Sequence, residues 1–439
     1  MAKETKRIVM ATDIPYWNAK TGAEQRMLAL VKFLRQPPFE ITTFYVGAVT
    51  PEDHQSIVAH GLNVVFFENE KPPAEFISRM KWYLDATKNQ IQKWMAKSKP
   101  AETDEEASQR QPIVPLKLAD YRWPWAMDQF RRLCERYRPH YFIAQYVTMG
   151  YLLDAIPPRD RAQVHCLLDT HDILHDRGLQ FGAAGYLHWL DIERQEEIDV
   201  WNKFDTVIAI QDNEAALIRS LVKNPEVLVV GHAPTSPGVI RPRATESDRL
   251  RIGYIGSANY SNWHAINRFL IEVWPELLTL EGVEVELVVA GKICQWMEMM
   301  EPERRERMTA NHVHLFGEVL SLGDFYEAVD IVVNPVQFGT GLKIKNVEAL
   351  AFGKPLVTTE SGAGGMNDAM QECCIKVDTL REMADQLVKL CGDRELQHKL
   401  SQKALRIANR ELSETAVYSD LARHLLNSSK KDFQKLPSR

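Results

Sequence analysis

Residues 331–359 read IVVNPVQFGTGLKIKNVEALAFGKPLVTT. The apolar run at 331–335 is strand-like, and so is PLVTT at 355–359. Between them, residues 342–350 read as a helix beginning at Thr340 or Gly341. Gly353-Lys354-Pro355 ends that helix and opens the next strand. Strand, helix, strand in this order is the crossover unit of a parallel sheet. Gly339 and Gly341 allow close backbone approach and unusual φ/ψ just before the helix. A helix start offers free N–H groups and the positive end of the dipole, which suit a diphosphate. Lys343 and Lys345 add cationic donors beside it. Glu348 lies about two turns in, where a carboxylate can accept hydrogen bonds from the paired hydroxyls of a ribose.

The same alternation extends outward in both directions. Residues 7–12, 41–46, 141–145, 163–169 and 206–210 are short apolar runs. Residues 21–34 carry Met27, Leu28, Leu30, Val31 and Leu34 at helical spacing. A second series holds strands at 251–256, 283–291, 312–316, 331–335, 355–359 and 374–377. Residues 232–249 (HAPTSPGVIRPRATESDR) break the pattern with proline, glycine and polar residues. The expected fold is therefore α/β: two Rossmann-like, doubly wound parallel-sheet domains facing each other across a cleft. Ligands of such sheets sit beyond the carboxyl ends of the strands. The expected boundaries are an N-terminal domain over 1–235, a linker over 236–249 and a C-terminal domain over 250–410. A helical segment over 411–439 is expected to pack back on the N-terminal domain. Residues 70–128 fit the sheet pattern poorly and read as an insertion. Within them, 76–95 is an amphipathic helix whose Trp82, Tyr83, Ile91 and Trp94 alternate with lysines. It suits packing on the N-terminal domain, or peripheral contact with a membrane surface or a lipid acceptor. Residues 97–111 are polar and read as a loop.

Composition excludes several classes. The formal charge of −6 argues against a nucleic-acid-binding surface spread over the whole protein. At 439 residues the chain can build large cores without disulfide or metal staples. The six cysteines are scattered with no C-x-x-C pair, which reads as reduced thiols in a cytoplasmic protein. The apolar run near the N-terminus fits a first strand better than a signal sequence. No stretch approaches the ~18 apolar residues of a membrane span. The expected location is cytoplasmic, with any membrane contact at the inner face.

The segment 334–354 resembles the donor-binding signature of the GT-B glycosyltransferases, in particular the retaining family 4 (glycosyl transferases group 1). This sequence follows the G-T-G-L-K-x-K-x-x-E-A variant. Where many relatives have a first Glu, Thr340 stands; the second Glu matches Glu348. The resemblance implies that Gly339, Thr340, Gly341, Leu342 and Lys343 face the sugar and diphosphate, and that Glu348 meets the ribose. It continues at 253–275, where Gly256, Ser257 and Asn262 match positions beside the diphosphate. Lys292, and Val319 in the run 316–319, match positions that bracket the nucleobase. In the N-terminal half, Gly22 matches the glycine of the loop after the first strand. His171 and Asp172, in the run Asp169-Thr170-His171-Asp172, match a His-Asp pair beside the transferred sugar.

The implied activity is transfer of a sugar from a nucleoside-diphosphate sugar, UDP- or GDP-linked, to a hydroxyl acceptor with retention of anomeric configuration. The acceptor would be a glycan, a lipid-linked glycan or a small molecule. His171, Asp172, Lys343 and Glu348 would carry the chemistry. No cofactor is implied beyond the donor substrate, and no D-x-D motif at a strand end points to a metal. Two other readings remain open: a sugar-nucleotide 2-epimerase of similar fold, and a non-catalytic nucleotide-binding scaffold.

Overall fold

A computed structural model describes residues 5–66, 115–235, 249–300, 302–319 and 321–428. The helix expected at 76–95, the loop at 97–111 and most of the expected linker lie outside the described residues. In the first half run β1 (Lys6–Thr12), β2 (Phe39–Tyr45), β3 (Val64–Val65), β4 (Leu116–Lys117), β5 (Tyr141–Gln145), β6 (His165–Asp169), β7 (Leu190–Asp191), β8 (Thr206–Ala209) and β9 (Glu226–Val229). Seven of these form one sheet in the order β3-β2-β1-β5-β6-β8-β9, and β4 pairs with β7 apart from it. The second half supplies β10 (Leu250–Ile255), β11 (Val285–Ala290), β12 (Val313–Gly317), β13 (Ile331–Asn334), β14 (Leu356–Thr359) and β15 (Ile375–Val377), in the order β12-β11-β10-β13-β14-β15. Neighbouring strands are parallel in both sheets.

The central strands are continuous apolar runs because helices cover both faces of each sheet. Every residue of Tyr141–Gln145 and Val285–Ala290 is buried. In both sheets the order reverses beside the first strand, β1 or β10. The carboxyl ends at these switch points define where a ligand can lie.

The described end of the 70–128 segment is built into the N-terminal domain. Leu116, Tyr121, Trp123 and Ala126 belong to its core, with Phe130 and Phe142. The helix Glu414–Asn427 lies on the same domain. It buries Tyr418, Leu421 and Leu425 among Ile8, Met10 and Tyr141. All six cysteines are free thiols, and five are buried. Among the described residues, no helix is long and apolar enough to cross a membrane.

Candidate active site

The two sheets present their carboxyl ends to one cleft of about 330 Å³. Two helix starts meet there, one from each domain: Gly22–Phe33 after β1 and Ile344–Ala351 after β13. Contact between them is close. A Cβ on Gly22 would stand 2.9 Å from the Ile344 Cβ. Gly22, Gly256, Ser257, Lys292, Val319, Gly339, Thr340, Leu342, Lys343, Glu348, His171 and Asp172 all line this cleft. Residues separated by over 300 positions thus converge on one cleft.

Gly341 is the exception. Its amide points away from the cleft and donates to Glu214 Oε1 at 2.9 Å. Its neighbours are held in the same way by N-terminal-domain side chains. The Gly339 amide donates to Gln180 Oε1 (2.8 Å), and the Thr340 hydroxyl to Asp172 Oδ1 (3.2 Å). Three consecutive residues of the loop are therefore fixed across the domain boundary. The expected helix start at Thr340 or Gly341 also needs correction: the helix begins at Ile344, with Lys343 as its N-cap. Gly339 (φ +117°) and Gly341 (φ +75°) hold the chain in a left-handed region that excludes helix.

This backbone path turns the carbonyls of 339–341 toward one another, and Lys343 closes the turn. Its Nζ donates to the oxygens of Gly339 (2.9 Å), Thr340 (2.9 Å) and Gly341 (3.2 Å). Lys345 Nζ donates to Asn262 Oδ1 (2.7 Å) and Tyr254 Oη (3.3 Å), and lies over the Tyr254 ring. Among the described residues, neither ammonium has a carboxylate within ion-pair distance. Burial lowers Lys343 to about 8, with Arg177 adding to the effect and Asp172 and Glu214 opposing it. Burial and the neighbouring Lys343 lower Lys345 to about 7. The other lysines at the rim are paired: Lys20 with Glu318 (3.1 Å) and Lys292 with Glu24 (3.7 Å).

Glu348 is buried in the cleft wall and accepts from Tyr326 Oη at 2.9 Å through Oε2; Oε1 has no partner. Burial raises its carboxyl to about 8, against the Tyr326 hydrogen bond and Lys345. Glu214 is likewise pushed up to about 8 by burial and by Asp172.

On the opposite wall, Tyr146 (φ +62°) and His171 (φ +59°) follow the adjacent strands β5 and β6. Their rings stack at 4.2 Å, and such left-handed side-chain-bearing residues cluster at functional sites. His171 Nε2 donates to Gln145 Oε1 at 2.6 Å, and Nδ1 faces Arg26 at 3.4 Å. Both ring nitrogens are thus engaged within the protein. Burial lowers His171 to about 4, so it is neutral at ordinary pH. Asp172 binds Arg177, and Asp169 binds Arg26 at 2.7 Å. His175 turns away to Glu197 at 2.6 Å. Among the described residues, no three His, Cys, Asp or Glu side chains converge to hold a metal ion.

Sequence reasoning did not single out Gln180, Glu214 or His232. Glu214 left one trace, an acid on the buried face of the helix Asp212–Leu221 beside Ala215 and Ile218. A lone acid on an apolar helical face signals a partner but does not name it.

Residues 249–393 match the family model described as "Glycosyl transferases group 1". A search of curated protein sequences finds no match. Among solved structures, Anabaena HepE in complex with UDP and glucose is 13% identical, with a TM-score of 0.61 over 96% of this chain and 99% of that one. Sucrose-phosphate synthase from Thermosynechococcus elongatus is 14% identical, with a TM-score of 0.62 over 97% and 100%. A variant of S. aureus TarM in complex with fondaparinux, alpha-GlcNAc-glycerol and UDP is 12% identical, with a TM-score of 0.63 over 97% and 100%. Over the described residues the chain thus has the GT-B fold of two facing Rossmann-like domains.

Proposed function

We propose that the protein is a glycosyltransferase that moves a sugar from a nucleoside-diphosphate sugar to a hydroxyl acceptor with retention at the anomeric carbon. The observation that carries this reading is the pair Lys343 and Lys345. Both are half-buried in the cleft wall at a helix start and held only by neutral oxygens. A cation drawn partly out of water without an anion is costly. A diphosphate would supply the missing charge, and the helix start adds its dipole. The family-model match over 249–393 covers this half of the site. UDP in the complexes of HepE and TarM supports the same donor class, UDP or GDP.

Departure of the nucleoside diphosphate builds negative charge on its phosphate and positive charge on the sugar ring. Preorganised donors aimed at the phosphate lower that barrier. Lys343 and Lys345 would act there, and Glu348 would accept from the ribose. His171, with both nitrogens occupied, serves as a rigid wall beside the sugar and not as a base. The acceptor proton would then pass to the leaving phosphate on the same face, giving retention. No resident cofactor or metal enters this scheme. Asp169 and Asp172 are each committed to an arginine, which favours transfer over epimerisation, where a carboxylate must abstract a proton. The acceptor is taken to be a glycan or lipid-linked glycan, with the protein acting in the cytoplasm.

The test is a thermal-shift panel of UDP- and GDP-sugars, followed by transfer assays with the donor that stabilises most. Binding to the native state raises the melting temperature by mass action. A donor that stabilises and releases its nucleoside diphosphate only with acceptor present supports the reading. Epimerised donor without acceptor, or no stabilisation by any nucleotide, overturns it.

A further inference from the structure

His232 is buried three residues past the end of β9, where the N-terminal domain meets the start of the connecting segment. Arg26 fixes the backbone just before it, donating to Val230 O at 2.8 Å and Gly231 O at 3.1 Å. Neither ring nitrogen has a hydrogen-bond partner. A neutral imidazole carries one donor and one acceptor, so both capacities are unused. Burial lowers His232 to about 3, with Arg26 adding to the effect, which keeps the ring neutral.

Across the domain boundary lies another unpartnered atom, Glu348 Oε1, at 3.9 Å from His232 Nε2. That gap is too long for a direct hydrogen bond, yet one oxygen at ordinary hydrogen-bond distance can reach both groups. Glu348 lines the main cleft, and His232 lines a smaller cavity of about 180 Å³. The two cavities share Ala19, Gln25 and Val319 as walls. The unsatisfied pair thus stands at their junction, with one member from each domain. Buried polar atoms are normally paired, so three unpaired atoms at one junction mark a place for one more polar group, a ligand hydroxyl or a water.

We propose that His232 is a ribose-binding residue, which with Glu348 holds the vicinal hydroxyls of the bound nucleotide. The inference rests on the nucleotide-sugar reading above. One hydroxyl donates to Glu348 Oε1 while it or its neighbour pairs with the His232 ring. The ribose then bridges the two domains, so donor binding and the closed arrangement support each other.

The experiment is calorimetric titration of the full chain with UDP and GDP and with their 2′-deoxy and 3′-deoxy counterparts. Wild type, His232→Ala and His232→Gln are compared. For wild type, loss of one hydroxyl is expected to weaken binding roughly 5–10-fold, the value of about one net hydrogen bond. In His232→Ala the ribonucleotide should weaken by about the same factor, and the preference over one deoxynucleotide should vanish. His232→Gln, which keeps a donor and an acceptor, should restore part of it and serves if the alanine variant fails to fold. Unchanged discrimination in both variants would mean that the junction holds only a water, and would overturn the role of His232. If wild type binds neither UDP nor GDP, the nucleotide-sugar reading itself fails, and the assignment of His232 fails with it.

Discussion

Lys343 combines two tasks in one side chain. Its stem leads into the helix Ile344–Ala351 while its ammonium gathers the carbonyls of 339–341. Lys343→Met keeps the length and removes the donors. It should destabilise the fold by about 1–2 kcal/mol, as several carbonyls lose a charged partner. Turnover should fall roughly 100-fold, as expected for loss of a charged donor at a leaving group. Steady-state kinetics with unchanged kcat would remove Lys343 from the mechanism. The two lysines also make a pH signature. At pH 8, Lys345 (about 7) is mostly neutral and Lys343 (about 8) half so. A bound anion raises both pKa values, so UDP, whose diphosphate is already fully ionised at pH 8, should bind with proton uptake and weaken as pH rises above 8. Titration in two buffers of different ionisation enthalpy reads the uptake; no buffer dependence would place the anion elsewhere.

At the scale of elements, the loop 339–341 is fixed from behind. A Cβ on Gly341 would collide with Asp172 Oδ1, and its φ of +75° disfavours any side chain. Gly341→Ala should therefore abolish measurable transfer while the separate sheets still fold, as circular dichroism would report. Full activity would show that the loop is not fixed as described. Glu214→Ala removes the acceptor of the Gly341 amide and should raise donor KM more than it lowers kcat. The apolar runs made the central strands legible, because parallel strands buried on both faces write themselves as continuous hydrophobic stretches. β3, β4 and β7 were not legible, since two residues have no periodicity to read. The helix start was displaced because a motif shows that glycines are present but not which φ each adopts. Gln180, Glu214 and His232 escaped notice for a further reason: what they face, the 339–341 loop or Glu348, belongs to the other domain, and nothing local encodes that approach.

At the scale of the whole molecule, the domains are joined by packing as well as by chain. Phe181, from the N-terminal half, is buried in the core of the C-terminal sheet. Tyr186 stacks on Tyr260 at 4.8 Å and on Phe338 at 5.7 Å. His188 sits beside Phe181, with Nδ1 donating to Leu190 O at 2.8 Å. Burial lowers His188 to about 4, with Arg177 adding to the effect. In the unfolded chain it titrates near its ordinary 6.5. Between these values the unfolded state binds more protons, so the contribution of His188 to stability is lost as pH falls from 6.5 toward 4. Glu214 and Glu348, raised to about 8, act in the opposite direction, since their stability contribution falls as pH rises above 4.5. The raw stability profile mixes these slopes, and a difference isolates one of them. The unfolding free energy of wild type minus that of His188→Asn should drop by on the order of 2 kcal/mol between pH 7 and pH 4. Denaturant titrations at several pH values measure it. Parallel profiles would mean that His188 is solvated, and that the aromatic contact between the domains is looser than the stacking of Tyr186 on Tyr260 and Phe338 describes.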